Sequence, residues 1–378
     1  MKPIYLDHAA ATPLDPEVLK AMQPFLTKQY ANPNSLHDLG TLARKAIEKA
    51  RVDIAKILHC SPHEIIFTSG GTESINLALK GIALHKKKGH IITSQIEHPA
   101  VLESCHYLEK NGFSVTYLPV DKYGKVSPTA VQKAIRRDTI LISIMYANNE
   151  IGTIQPLHEI GKIALKHRIP FHTDACQAGS LDINVNDLNV ALLTLNGNKI
   201  YGPKGIGILY KKSTTQLEPL LHGGNQEYGL RSGTENVPAI VGFAKALNLI
   251  QHSKEQENKR LTEVRDRFIK TIFTTISESY LNGHSTERLP NNIHLSFAGV
   301  EGEELLYHLN QHHIFVSTGS ACNSHKIKTS HVLKAIKIPN ALAKGSIRLT
   351  MGKETTEHNL QTVAKTITKI VSQLRLMD

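Results

Sequence analysis

Apolar residues at three- and four-residue steps, Ala43, Ala46, Ile47, Ala50, Ile54, Ile57 and Leu58, trace one face of an amphipathic helix. Just beyond it, Ser61, Pro62 and Glu64 carry a helix-start signature: an N-cap, a proline at the first helical position and a capping-box carboxylate. Short apolar runs at 65–68, 90–94, 114–118, 139–146, 170–174 and 190–195 predict strands, and helical stretches such as 156–167 lie between most of them. This alternation predicts an α/β fold, a mainly parallel sheet with helices on both faces. In such sheets, binding sites gather at the carboxyl ends of the strands.

Near residue 250 the texture changes. Residues 251–260 are polar, after which Leu261, Val264, Phe268, Ile272 and Ile276 mark a long amphipathic helix. Strand candidates at 292–297, 314–317 and 346–350 precede a final helix carrying Leu360, Val363, Ala364, Ile367, Ile370, Val371 and Leu374. This half reads as a smaller α+β domain packed on the large one, and 378 residues suit two domains.

A hydrophobic share of 40% with ordinary Gly and Pro usage excludes a disordered or collagenous chain. The formal charge of +11 suits acidic or phosphate-bearing partners or nucleic acid, but a solvated basic surface is the commoner explanation, and no direct nucleic-acid partner is expected. The cysteines at 60, 105, 176 and 322 form no Cys-x-x-Cys pair, so neither a metal site nor a disulfide framework is expected. Asp7 interrupts the start before a signal-peptide core could form, and no apolar run approaches the ~20 residues of a membrane span. A cytoplasmic protein with no membrane partner is the expectation.

Polar, glycine-rich segments follow several predicted strands. Gly70, Gly71 and Thr72 open a helix and suit an anion, whose charge free N–H groups and the helix dipole favour; a plain N-cap at Thr72 is the simpler alternative. His98 starts another helix, as acid/base group, aromatic platform or cap. Asn148 and Asn149 could serve a ligand or an Asx turn. Asp174 ends an apolar strand, where a carboxylate needs a positive partner, and Cys176 beside it reads as a small core residue. Lys199 directly follows another apolar strand, where partial desolvation would lower its pKa and favour Schiff-base chemistry. Cys322 lies in a loop of small residues flanked by basic ones, a setting for a nucleophilic thiolate. Arg348 falls within strand-like sequence, where an inward guanidinium needs a carboxylate.

Three segments, Lys-Ile-Tyr-Gly-Pro-Lys-Gly (199–205), Arg-Ser-Gly-Thr-Glu-Asn (231–236) and Ser-Thr-Gly-Ser-Ala-Cys (317–322), are highly specific in combination. With them the chain resembles, over nearly its whole length, the cysteine desulfurases of the fold-type I pyridoxal-phosphate class. Within these it resembles the long-loop group that serves iron–sulfur assembly and tRNA thiolation. The resemblance implies a large domain at 15–254 that binds pyridoxal 5′-phosphate (PLP). Residues 1–14 and 255–378 would form a small α+β domain carrying the loop of Cys322. Lys199 would hold PLP as a Schiff base, Asp174 would keep its ring nitrogen protonated, and His98 would stack on the ring and move protons. Gln177 and Asn149 would contact the ring hydroxyl or the substrate side. Gly71 and Thr72 would bind the phosphate, with Thr234 reaching across from the second subunit of a homodimer. Arg348 and Asn149 would clamp the carboxylate of L-cysteine. Cys322 would take the sulfur as a persulfide for an acceptor protein, an Fe–S scaffold or a tRNA-thiolation factor.

This chain has Asn198 where the family usually has a His before the Schiff-base lysine, and Asn196 where it has a Ser. Looser phosphate binding is the expectation. Selenocysteine lyase, another PLP lyase or aminotransferase, and a non-catalytic scaffold or RNA-binding homologue are the rival readings. Retention of Lys199, Asp174, His98 and Cys322 disfavours the last.

Overall fold

In the computed structural model, residues 3–318 and 330–376 are described. The large sheet has seven strands, in spatial order Ile65–Thr68, Gly207–Lys211, Leu192–Asn196, Phe171–Asp174, Thr139–Ser143, His90–Ser94 and Ser114–Leu118. All neighbours run parallel except Gly207–Lys211, which is antiparallel to both of its neighbours. Successive side chains serve opposite faces. Ile65 and Phe67 thus enter one core with Ile47, Ile54 and Phe243, while Ile66 enters another with Ile75, Leu79 and Val101.

The strand Gly207–Lys211 lies outside the sequence expectation. Its first residue touches the chain that binds the anion-type turn: a Cβ on Gly207 would sit 2.7 Å from the Gly70 carbonyl carbon. Close backbone approach, rather than strand propensity, therefore selects that glycine. The capping signals at 61–64 produce only a single turn, Pro62–Glu64, with the Ser61 N–H donating to Glu64 at 3.0 Å. The β-branched run beginning at Ile65 takes over at once.

Residues 251–260 are not a break. They lie within one helix, Val237–Thr275, of 39 residues. Its first turns, to Leu247, belong to the large-sheet core. From Leu261 it packs instead with a three-stranded antiparallel sheet, Ser346–Thr350, Asn292–Phe297 and Ser279–Leu281, and with the final helix Glu357–Leu374. The polar stretch is the span between two cores. Strand Ile4–Tyr5 pairs in parallel with Ile314–Phe315, so the N-terminal segment joins the second core before crossing to the large sheet. No helix among the described residues is long and apolar enough to cross a membrane.

Candidate functional site

Asp174 ends its strand opposite Thr194 of the parallel neighbour, so the chain that leads to Lys199 emerges beside it. Asp174 is 7% exposed, and one carboxylate oxygen accepts the Cys176 N–H at 3.0 Å. No Lys or Arg is ion-paired with it among the described residues. Two residues earlier on the same face, His172 is fixed between Ser143 Oγ (2.9 Å) and Thr194 Oγ1 (3.1 Å). Burial lowers its pKa to about 4, so it carries no charge to offset Asp174.

Lys199 closes the turn Gly197–Lys199, and its Nζ donates to Ala10 O. Its charge and that of Asp174 both act on His98 and on Cys176, which places the four in one electrostatic neighbourhood. His98 caps the helix Pro99–Lys110: its Nδ1 accepts the Ala100 N–H at 3.1 Å, leaving the proton of the neutral ring on Nε2. Burial depresses its pKa. Cys176 is inert, because burial pushes its thiol well up.

The helix Gly71–Lys86 is capped by Gly70, whose φ of 155° suits glycine, and not by Thr72, which is exposed at its second position. A Cβ on Gly71 would lie 2.8 Å from Cys176 Sγ, so the helix start presses directly on the Asp174 turn. The Asn196 side chain lies against the same glycine, its Nδ2 3.5 Å from that Cβ position. Asn198 anchors the N-terminal segment through its backbone carbonyl, which accepts from Thr12 N–H at 2.9 Å. Its side-chain Oδ1 is buried with no partner among the described residues. Thr72 and His98 line one open cavity of ≈ 370 Å³.

Thr234 is exposed in a glycine-rich loop held down by Arg231 on Glu73 (2.9 Å) and by Glu227 on buried Arg51 (2.8 and 2.9 Å). Gln177 Nε2 donates to Ala9 O at 3.0 Å. Asn148 makes the Asx turn, accepting from Glu150 N–H and Ile151 N–H, while the Asn149 carbonyl accepts from Arg348 Nη1 at 3.0 Å. The carboxylate that Arg348 needs is Asp7, 2.7 Å from Nη2. Lys204 is an exposed turn residue.

Cys322 lies outside the described residues. The chain on either side of its segment is tied to the site. Ser317 exchanges backbone hydrogen bonds with Arg348, Ser330 Oγ donates to Glu150 at 2.5 Å, and His331 Nε2 donates to Glu97 O at 2.9 Å. Glu97 and Glu150 are buried, and desolvation raises their pKa to about 8 and about 7. Sequence reading missed both carboxylates and the role of Asp7. Their signal was adjacency, each standing next to a polar residue already singled out or at the end of a short apolar run.

The residues present fit PLP. A buried carboxylate lacking a basic partner among the described residues suits a protonated ring nitrogen, a neighbouring amine suits an aldehyde, and a glycine-opened helix start with the Asn196 amide beside it suits a phosphate group. Among the described residues no cluster of His, Cys, Asp and Glu could hold a metal ion.

A mostly parallel sheet with lysine, aspartate and histidine collected at its strand ends defines a fold-type I PLP enzyme. The sequence family described as aminotransferase class-V matches residues 4–363. A cysteine desulfurase IscS of Dictyoglomus turgidum is 53% identical over 99% of this chain and 96% of its own. Among solved structures, a NifS-like protein superposes with a TM-score of 0.92 at 38% identity, covering 98% of this chain and 100% of its own. A structure titled SspA in complex with cysteine has a TM-score of 0.82 at 40% identity, covering 92% and 98%. The chain belongs to the class-V aminotransferase family and, within it, to the PLP-dependent cysteine desulfurases.

Proposed function

We propose that the chain removes sulfur from L-cysteine, leaving L-alanine, and carries the sulfur on Cys322 to an acceptor protein in iron–sulfur assembly or tRNA thiolation. The observation that carries this reading is Asp174, a buried carboxylate without a basic partner among the described residues, set at a parallel strand end beside Lys199.

When bound, PLP supplies an aldehyde for amines and a protonated ring that draws electron density from the substrate. Lys199 Nζ would hold it and later move the proton at the substrate α-carbon. Asp174 would keep the proton on the ring nitrogen, and Gln177 would contact the ring hydroxyl. Gly71, Thr72, Asn196 and Asn198 would bind the phosphate. The neutral His98, with its proton on Nε2, would pack on the ring and donate or accept at the substrate. Arg348 and Asn149 would fix the carboxylate. The Cys322 thiolate would attack the substrate sulfur: a sulfur–sulfur bond forms, the carbon–sulfur bond breaks, and protonation of the carbon completes alanine.

A homodimer with Thr234 reaching the partner's phosphate site agrees with the exposure of Thr234 and of the apolar residues near it. Leu36 is 100%, Tyr30 73% and Tyr228 55% exposed, on segments joined through Arg44 to Glu235 and Asn34 and through Arg51 to Glu227. We also assign 15–254 to a cofactor-binding domain, and 1–14 with 255–378 to a smaller one. The switch of the helix Val237–Thr275 between two cores supports that division.

The test is incubation of the holoprotein with L-cysteine, measuring alanine and sulfide. Lys199→Ala should give neither product, and Cys322→Ala no sulfide. Undiminished sulfide from Cys322→Ala would overturn the sulfur-carrying role.

A further inference from the structure

We propose that Asp7 sets how tightly this site grips a substrate carboxylate, as a resident counterion that shares Arg348 with it. The inference rests on the assignment of Arg348 to that carboxylate made above. The Arg348 side chain is only 7% exposed, a position where an uncompensated guanidinium is costly. Asp7 Oδ1 meets it at Nη2 (2.7 Å), the Asn149 carbonyl takes Nη1 (3.0 Å), and Nε is buried with no partner among the described residues. A carboxylate engages a guanidinium best through two parallel N–H bonds. Asp7 uses a single oxygen, so the cation is neutralised while part of its donor set is left over.

The backbone of Asp7 is held independently of that ion pair. It bridges to Thr350, the next residue but one offers its N–H to Thr350 Oγ1 at 2.9 Å, and the Tyr5 hydroxyl donates to Asp7 O at 3.0 Å. The carboxylate is therefore presented to Arg348 by the fold and does not drift to it from solvent. Glu150, Tyr5 and His294 also face Arg348 electrostatically, but among the described residues Asp7 is the carboxylate in contact with it.

An incoming substrate carboxylate adds a second negative charge to one guanidinium and is repelled by the first. Removing the Asp7 charge leaves a buried cation for the substrate to neutralise alone, so binding tightens. A residue that merely oriented Arg348 would do the reverse, because its loss would loosen the clamp.

The experiment compares the native holoenzyme with Asp7→Asn, which keeps the shape and an accepting oxygen. The KM for L-cysteine and the Kd of L-alanine, followed through cofactor absorbance, are expected to fall about three- to tenfold, with the larger change in KM rather than kcat. L-Cysteine methyl ester, which lacks the carboxylate, should show no such fall. Asp7→Ser should move the same way and guards against a folding defect peculiar to asparagine. An unchanged or raised KM for the acid, or an equal fall for the ester, overturns the proposal. Arg348→Lys separates the two readings: if it keeps the native preference for acid over ester, the assignment of Arg348 fails, whatever Asp7 does.

Discussion

Asp174, at the end of a strand in the seven-stranded sheet, and Arg348, inside a strand of the three-stranded one, are both more than nine-tenths buried. Arg348 meets a carboxylate and a backbone carbonyl supplied by the chain itself, whereas Asp174 meets the Cys176 N–H and thiol, both neutral, with a neutral histidine two residues away in the strand. Burying an unpaired charge costs several kcal/mol, so the two sites have different histories of compensation. The small-sheet charge is balanced within the protein. The large-sheet charge has no such balance among the described residues, and on the proposed reading the protonated ring of PLP would supply it.

The strongest way to break that contrast is to neutralise the charge that depends on the cofactor. Asp174→Asn should lower kcat by roughly 10²–10³, the loss expected when one member of a buried charge pair is removed, with the cofactor absorbance shifted toward the unprotonated ring. A kcat within twofold of native would mean that Asp174 is compensated by the protein and that the contrast is false.

Glu97 sharpens it, because among the described residues this carboxyl beside His98 also lacks a cation, and Oε2 is buried without a partner. Its folded pKa of about 8 lies above the ordinary value, so its neutral form suits the fold. The contribution is fully present below the unfolded pKa and is lost as pH rises toward about 8. Glu97→Gln keeps an oxygen for Ser94 and Met145 N–H, and it should come close to the native protein near pH 4.5 while exceeding it by about 4 kcal/mol at pH 8 in denaturant titrations. A parallel pH dependence in both proteins would show that Glu97 ionises freely in the fold.

The smallest effect concerns packing. Gly71→Ala would bring its Cβ to 2.8 Å from Cys176 Sγ, so stability should fall by about 1–2 kcal/mol and PLP should be lost faster on dialysis. Cys176→Ala in the same chain should restore part of both. No recovery would place the strain elsewhere in the turn.

The periodic elements were legible in the sequence. The runs at 65–68, 90–94 and 114–118 coincide with strands, and the heptad-like spacing of the last helix matches Glu357–Leu374. Hydrophobic period is a local property that the fold then obeys. Asp174, Lys199 and His98 were legible as candidates, and the fold does bring them into one neighbourhood, since a polar residue following an apolar run is conspicuous before any folding. The requirement that Arg348 find a carboxylate followed from its strand alone, but not which one. One thing was misread, the plain N-cap at Thr72, where a glycine at φ 155° caps the helix instead. The capping signals at 61–64 shape one turn before the strand from Ile65 takes over, and the polar stretch 251–260 stays helical because a second core receives the helix beyond it.

Sequence by itself determined which side chains could carry chemistry and which segments would be strand or helix, because these depend on residues a few positions apart. Tertiary structure decided which charges would be paired. Asp7 and Arg348 stand 341 residues apart and meet at 2.7 Å only because the first strand returns to the second core. Asp174, by contrast, follows directly on a strand whose parallel neighbour leads to Lys199, and no distant segment among the described residues brings it a cation. Electrostatic pairing is a property of distance in space, and spacing along the chain carries almost no information about it.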